Sequence, residues 1–314
     1  MTARERLSTL TTVALDTSEF KKTYVYETRA PVTEVLADLK TLGALDAWAE
    51  RRRILMGIGS FVFVCLSISF VILLKWLLSA AFLATSIALC ILWARSKHTD
   101  LENRRYGLVA VLLQRFQVDL DANAPVDVKL DLAPEDAERK CVGKLKRGRW
   151  DCEDFTDAWL SLHGRFADGT HLHLFVVEHV QKRKRYGRGS SGKTKLKTKR
   201  KGKTLLQVGL RVKPERFPGL ADQRANAKKA VRLPPEVILS RLDVAQDRVA
   251  MRALLGRDGR DWVVRRPKPA SPSEPTVLPP NDASRVVTMM LLSLYQVLNH
   301  SSSRGQPGKM RSTP

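Results

Sequence analysis

The sequence predicts an α+β membrane protein: a two-helix transmembrane hairpin attached to a cytosolic, antiparallel β-rich domain with flanking helices. Three observations predict it. Ile54 to Trp93 is an apolar run of forty residues whose one charge is Lys75. After it, apolar and polar residues alternate with a period of two over several stretches, as half-buried strands require. Before it and near the chain's end, apolar residues recur at three- and four-residue spacing, as on helices. These patterns divide the 314 residues into a cytosolic strand–helix segment (1–53), the transmembrane hairpin (54–94), a basic β-rich domain (95–266), a Pro-rich connector (267–280) and an apolar helix with a tail (281–314).

In order along the chain, Lys21–Thr28 (KKTYVYET) reads as a short strand. Pro31–Trp48 reads as a helix with Val32, Val35, Leu36, Leu39 and Leu42 along one stripe. As a single helix the apolar run would extend about 60 Å, twice a hydrocarbon thickness of about 30 Å. It therefore folds back at Lys75 and Trp76, leaving Ile54–Leu74 and Leu77–Trp93 as the two spans. Arg51, Arg52 and Arg53 precede the first span, and Arg95, Lys97, Arg104 and Arg105 follow the second. Against one lysine at the turn, these flanks place both ends in the cytoplasm, with the chain in a plasma or inner membrane. The first fifty residues carry no apolar secretion signal.

Thr99–Glu102 is a capping box opening a helix that carries Leu101, Leu108, Val109, Leu112 and Phe116 and ends near Val118. Val126, Val128, Leu130 and Leu132 alternate with polar residues in a strand. Trp159–Val177 reads as a hairpin. A three-residue loop at Ala167, Asp168 and Gly169 pairs Phe166 with Thr170, Leu162 with Leu174 and Leu160 with Val176, so most apolar residues share a face and Gly169 takes the left-handed position. Thr204–Val212 is another strand, and Asp247–Arg266 a hairpin around Asp258 and Gly259. Six prolines in 267–280 make an extended connector. Asn281 or Asp282 caps a last helix bearing Val286, Val287, Met290, Leu291, Leu294, Val297 and Leu298.

The formal net charge of +22 favours phosphate-rich partners, either anionic lipid or nucleic acid. Most of that bias has one address. Lys182 to Lys203 holds twelve basic residues and no acid. It reads as a hairpin whose arms, in the register matching Leu172 with Leu206, place Arg183, Arg185, Lys193, Lys195, Lys197, Lys199 and Lys201 on one face, away from Leu172, Leu174 and Leu206. Like charges opposite one another destabilise a sheet, so such a face calls for an anionic cover or for a frayed tip. The expected function is a membrane-anchored cytosolic binding or scaffold domain whose polybasic hairpin contacts anionic lipid headgroups. The alternative is a membrane-tethered binder of nucleic acid or another polyanion; with Tyr186 as the one aromatic in the stretch, base stacking has little to work with.

Three further motifs raise other chemistry. Gly187–Thr194 (GRGSSGKT) matches the phosphate-binding loop of nucleotide hydrolases, but that loop needs an apolar strand before it and a helix after it. Here Lys193, Lys195, Lys197 and Lys199 alternate with Thr194, Leu196 and Thr198, the period of a strand, so the match reads as a hairpin tip. His163 faces His173 in the preferred register, with His171 two residues along; three imidazoles on one sheet face are a candidate zinc or copper site. Cys65, Cys90, Cys141 and Cys152 lack zinc-site spacing and read as reduced thiols. No nucleophile–base pair or carboxylate dyad is assigned, and no cofactor is implied.

Overall fold

The computed structural model describes residues 17–72, 76–96, 101–121, 124–188, 193–255, 262–264 and 282–304. The elements are, in order, α1 (Thr17–Thr23), β1 (Val25–Ala30), α2 (Val32–Ile72), α3 (Trp76–Ser96), α4 (Asn103–Phe116), β2 (Val126–Asp131), β3 (Cys141–Arg147), β4 (Trp150–Arg165), β5 (His171–Arg188), β6 (Thr194–Arg211), α5 (Ala227–Ala230), β7 (Ile238–Val244), β8 (Arg248–Leu255) and α6 (Ala283–Arg304). They form two compact units: Met1–Leu36 with Gly107–Pro314, and Ala37–Tyr106.

The first unit is an antiparallel sheet in the order β1-β2-β4-β5-β6-β8-β7, with β3 paired to β4. Its shielded face carries Val126, Val128, Leu130, Leu160, Leu162, Leu172, Leu174, Val176, Leu206, Val208 and Leu210, all essentially without solvent exposure. α4 and α6 supply the opposing side chains: Leu108, Leu112 and Phe116 from one, Val286, Val287, Met290, Leu294 and Leu298 from the other. Phe116 meets Phe166 edge-on at 6.2 Å, and Arg115 donates to Thr288 Oγ1 at 3.2 Å. Asp282 caps α6, its Oδ1 accepting from the Ser284 amide at 3.0 Å and from the Ser284 hydroxyl at 2.7 Å. The Tyr295 hydroxyl donates to Asp168 at 3.2 Å and fastens α6 to the β4–β5 turn. Burial and the Asp168 carboxylate hold that hydroxyl's pKa well above its usual range.

The β4–β5 turn follows the three-residue register: Leu162 lies opposite Leu174, Leu160 opposite Val176, and Gly169 has φ +83°. Four local expectations change. Lys21–Thr23 ends α1 instead of starting a strand; Tyr24 turns left-handed at φ 56°, its amide donating to Phe20 O at 2.7 Å as a C-cap, and β1 begins at Val25. The cytosolic helix and the first apolar span are one helix, α2, because Ala49–Arg53 contains no residue that breaks a helix. β4 starts at Trp150, nine residues earlier than Trp159, and pairs with β3 through a turn in which Gly148 has φ 59°. The antiparallel neighbours of β8 are β6 and β7; Ser240 is accommodated by a bulge in β7. The hairpin expected at Asp258–Gly259, the Pro-rich connector, the hinge residue Lys75 and the cap residues Thr99 and Asp100 lie outside the described residues.

In the second unit α2 and α3 are both long and apolar enough to cross a membrane. They pack antiparallel. Ser60 Oγ donates to Ser86 O and Ser86 Oγ to Ser60 O (3.3 and 3.0 Å), and Ser67 and Ser79 repeat the exchange at 3.1 and 3.0 Å. Each pair sits seven residues from the next on its helix, so all four serines lie on one seam, and they are buried there. Phe63 and Phe70 stack on Phe82 between them. The outer surfaces carry Ile54, Leu55, Ile58, Phe61, Ile68, Ile72, Leu77, Ile87 and Ile91, all exposed. A Cβ at Gly57 would meet the Trp93 ring at 3.5 Å, so the ends bearing Arg51–Arg53 and Arg95 lie together.

Candidate polyanion-binding hairpin

β5 and β6 pair along their whole length, from His171↔Arg211 to Arg188↔Thr194. Leu172 stands opposite Leu210, four residues from the expected partner Leu206. The observed register matches Leu172, Leu174 and Val176 with Leu210, Val208 and Leu206 and leaves a shorter tip; the Leu206 register would have set Leu174 against Thr204. A four-residue offset preserves side-chain parity. Arg183, Arg185, Lys195, Lys197, Lys199 and Lys201 therefore still share one face, with Arg183 directly across from Lys199 and Arg185 from Lys197. Lys193 stands one residue before β6, outside the paired register.

The two faces of this hairpin treat charge differently. On the face continuous with the core, Lys182 pairs with Asp136, Arg200 with Glu135, and Lys184 with Glu153 at 3.3 Å. On the other face, none of the six cations has a carboxylate partner among the described residues. Three of the six have neutral support: Arg183 Nε donates to Gln181 Oε1 at 2.5 Å, and Arg185 and Lys199 lie against an aromatic ring. Arg185 lies 4.5 Å over the Trp150 ring, and Lys199 Nζ 5.6 Å from the same centroid. Such contacts hold a cation without cancelling its charge. The four lysines of β6 on this face are exposed. Trp150 and the acids at 135, 136 and 153 were not found in the sequence. The one local signal for the β3–β4 pair is the turn at Gly148, whose φ is 59°.

The motif Gly187–Thr194 does not build a phosphate-binding loop. Gly187 and Arg188 belong to β5, and Thr194 begins β6 where a helix would have to start. The amides around Lys193 and Thr194 thus lack the helix N-terminus that orients them on phosphate.

The histidines sit elsewhere on the same outer face. His163 pairs with His173, their Nδ1 atoms share a hydrogen bond at 2.6 Å, and Ser161 Oγ lies 3.0 Å from His163 Nε2. Phe175 packs edge-on against His163 at 5.2 Å. His171 is exposed and stands opposite Arg165. Burial, then the charges of His163, His171 and Arg211, keep the His173 pKa below its ordinary value. Among the described residues no three His, Cys, Asp or Glu side chains are grouped to hold a metal ion. On the shielded face Glu178 is buried, accepting from Trp262 Nε1 at 3.1 Å and Thr204 at 3.5 Å, and Lys140 binds Asp157 at 2.8 Å. These contacts tie β5, β6 and Trp262 together in the core.

No family profile, curated protein or solved structure matches the chain.

Proposed function

We propose that this is an integral membrane protein whose helical hairpin, α2 and α3, anchors a cytosolic sheet domain, and that the bare cationic face of the β5–β6 hairpin binds anionic lipid headgroups. The observation that carries the reading is the charge asymmetry. The protein neutralises Lys182, Lys184 and Arg200 with its own carboxylates and leaves six cations on the opposite face without any. Facing like charges are unfavourable until an external anion meets them. In a chain held at a bilayer, each Lys or Arg near an anionic leaflet contributes on the order of 1 kcal/mol. The clustering of Arg51–Arg53 and Arg95 at one end of the helical hairpin supports a cytoplasmic location for both termini, in a plasma or inner membrane.

The test uses the full chain in nanodiscs of neutral lipid, mixed with neutral or anionic vesicles. The chain floats with anionic vesicles alone, and salt above about 0.15 M weakens the association because screening acts within about 8 Å. Replacing Lys195, Lys197, Lys199 and Lys201 with Gln removes most of it, a loss of up to about 4 kcal/mol. Retention of RNA with a steep salt dependence, and of no vesicle, would establish the nucleic-acid alternative. The Trp150 ring argues against that alternative as a base-stacking platform, since Arg185 and Lys199 already lie on it.

A further inference from the structure

The bare face of the β5–β6 ribbon is densest in charge at its middle. Arg183 faces Lys199 and Arg185 faces Lys197 in successive rows of that face, with Lys201 in the row before and Lys195 in the row after. β3 adds Arg147, which is exposed and stands opposite Trp150. Strands lie about 4.8 Å apart and same-face residues about 6.8 Å apart along each, so each of the four central cations rises from a cell of about 33 Å². Free stems would fan apart and dilute that density. The fold opposes this. Arg185 and Lys199 converge on one ring, that of Trp150, at 4.5 and 5.6 Å from its centroid. Arg183 Nε is held by Gln181 Oε1, and Gln181 Nε2 donates in turn to Asp154 Oδ1 at 2.6 Å. Arg185 Nε is buried with no hydrogen-bond partner among the described residues, so its guanidinium keeps a donor that its own chain does not satisfy.

We infer that this block of cations, held together by Trp150, selects lipids whose single headgroup carries two or more phosphate charges over lipids that carry one. This rests on the reading of the hairpin as the lipid contact and names the class of lipid. The two acyl chains of a phospholipid cover more membrane area than one cell of the grid. A leaflet of singly charged lipids therefore cannot set one phosphate against each central cation. A headgroup bearing several phosphates can, because its charges share the footprint of one lipid. The side chains suit that ligand. Arg offers a planar fork to two phosphate oxygens, and Lys a compact charge beside it. The approach is flat: the broad side of the sheet meets the headgroups, and no strand edge with unpaired amides and carbonyls enters hydrocarbon. A lipid is favoured over a soluble polyanion because α2 and α3 of the same chain are long and apolar enough to cross a bilayer.

The full chain in nanodiscs of neutral lipid is mixed with phosphatidylcholine vesicles that carry either phosphatidylglycerol or phosphatidylinositol bisphosphate. The two anionic lipids are dosed to the same zeta potential, so the average field is equal and the charge per headgroup differs. Binding to the bisphosphate vesicles is expected to be about tenfold tighter, the gain from roughly one to two further cation–phosphate contacts. Trp150→Leu abolishes that preference, and Trp150→Phe, which keeps a ring beside Arg185 and Lys199, retains it. Arg183→Gln combined with Lys199→Gln abolishes it without altering Trp150. Lys195→Gln combined with Lys201→Gln, at the ends of the block, weakens binding to both vesicles by the same factor. Equal affinity of the parent for the two vesicles, or a preference that survives either Trp150→Leu or the Arg183 and Lys199 change, overturns the selection and leaves headgroup binding standing. Binding to neither vesicle overturns headgroup binding and the selection with it, and retention of RNA in that case assigns the face to nucleic acid.

Discussion

The two units of this chain are turned inside out relative to one another in composition. In the sheet unit the shielded side chains are mostly Leu, Val, Phe and Met and the outer ones mostly polar. In the helical unit the shielded seam is lined by Ser60, Ser67, Ser79 and Ser86, and the outside by Ile, Leu and Phe. Each arrangement suits one solvent. Water rewards apolar burial. Lipid offers helices no such reward, so small residues that allow close approach and exchange hydrogen bonds become the seam. Under the proposed membrane anchorage, burial alone does not define a core; what a surface is surrounded by does.

The largest expected effect lies in the water-facing unit. Trp159→Ala removes a fully buried ring stacked on Trp262 at 5.8 Å and lowers stability by about 3–5 kcal/mol, read by denaturant unfolding. Ile58 and Ile238 are equally exposed, 57% and 56%. In the proposed membrane anchor, Ile58→Asp costs up to about 2.5–3.5 kcal/mol of insertion, the value for an acid at the centre of a span, because an acid there would face lipid. Ile238→Asp changes stability by no more than about 0.5 kcal/mol, because it faces water. Equal and small effects would break the comparison. Ser67→Ala removes the bond from Ser67 Oγ to Ser79 O, leaves the return bond from Ser79 Oγ to Ser67 O, and weakens helix association by about 0.6 kcal/mol, measured in a reconstituted bilayer.

The smallest effect is a pH dependence. The folded pKa of His173 lies below its unfolded value. The unfolded chain therefore takes up more protons as pH falls through about 6.5, so this contribution to stability is present above that pH and is lost on acidification below it. His173→Gln flattens the slope of stability against pH in that window.

Much of this was legible in the sequence where pattern and chemistry agreed. The serine seam is hidden within an apolar run, but the run's length and basic flanks were enough to indicate two helices. The β4–β5 register followed from which residues must share a face, and the cationic face from parity, which survived a four-residue error in pairing. What was missed depended on distant partners. Glu135, Asp136 and Glu153 lie some thirty to sixty residues from the lysines and arginine they neutralise, and no local pattern joins them. Trp150 belongs to a strand whose alternation is broken by the bulge between Asp157 and Leu160, so period-two reading lost it. Tyr24 ends a helix in a conformation that usually signals glycine, and its side chain gives no warning.

In the proposed topology the helical hairpin spans a bilayer and leaves the sheet domain on one side. In sealed vesicles of known orientation, a membrane-impermeant thiol reagent is applied to Lys75→Cys and Lys213→Cys, each in a chain whose four native cysteines are replaced. The two positions are expected to label from opposite sides. Labelling of both from the same side would contradict it.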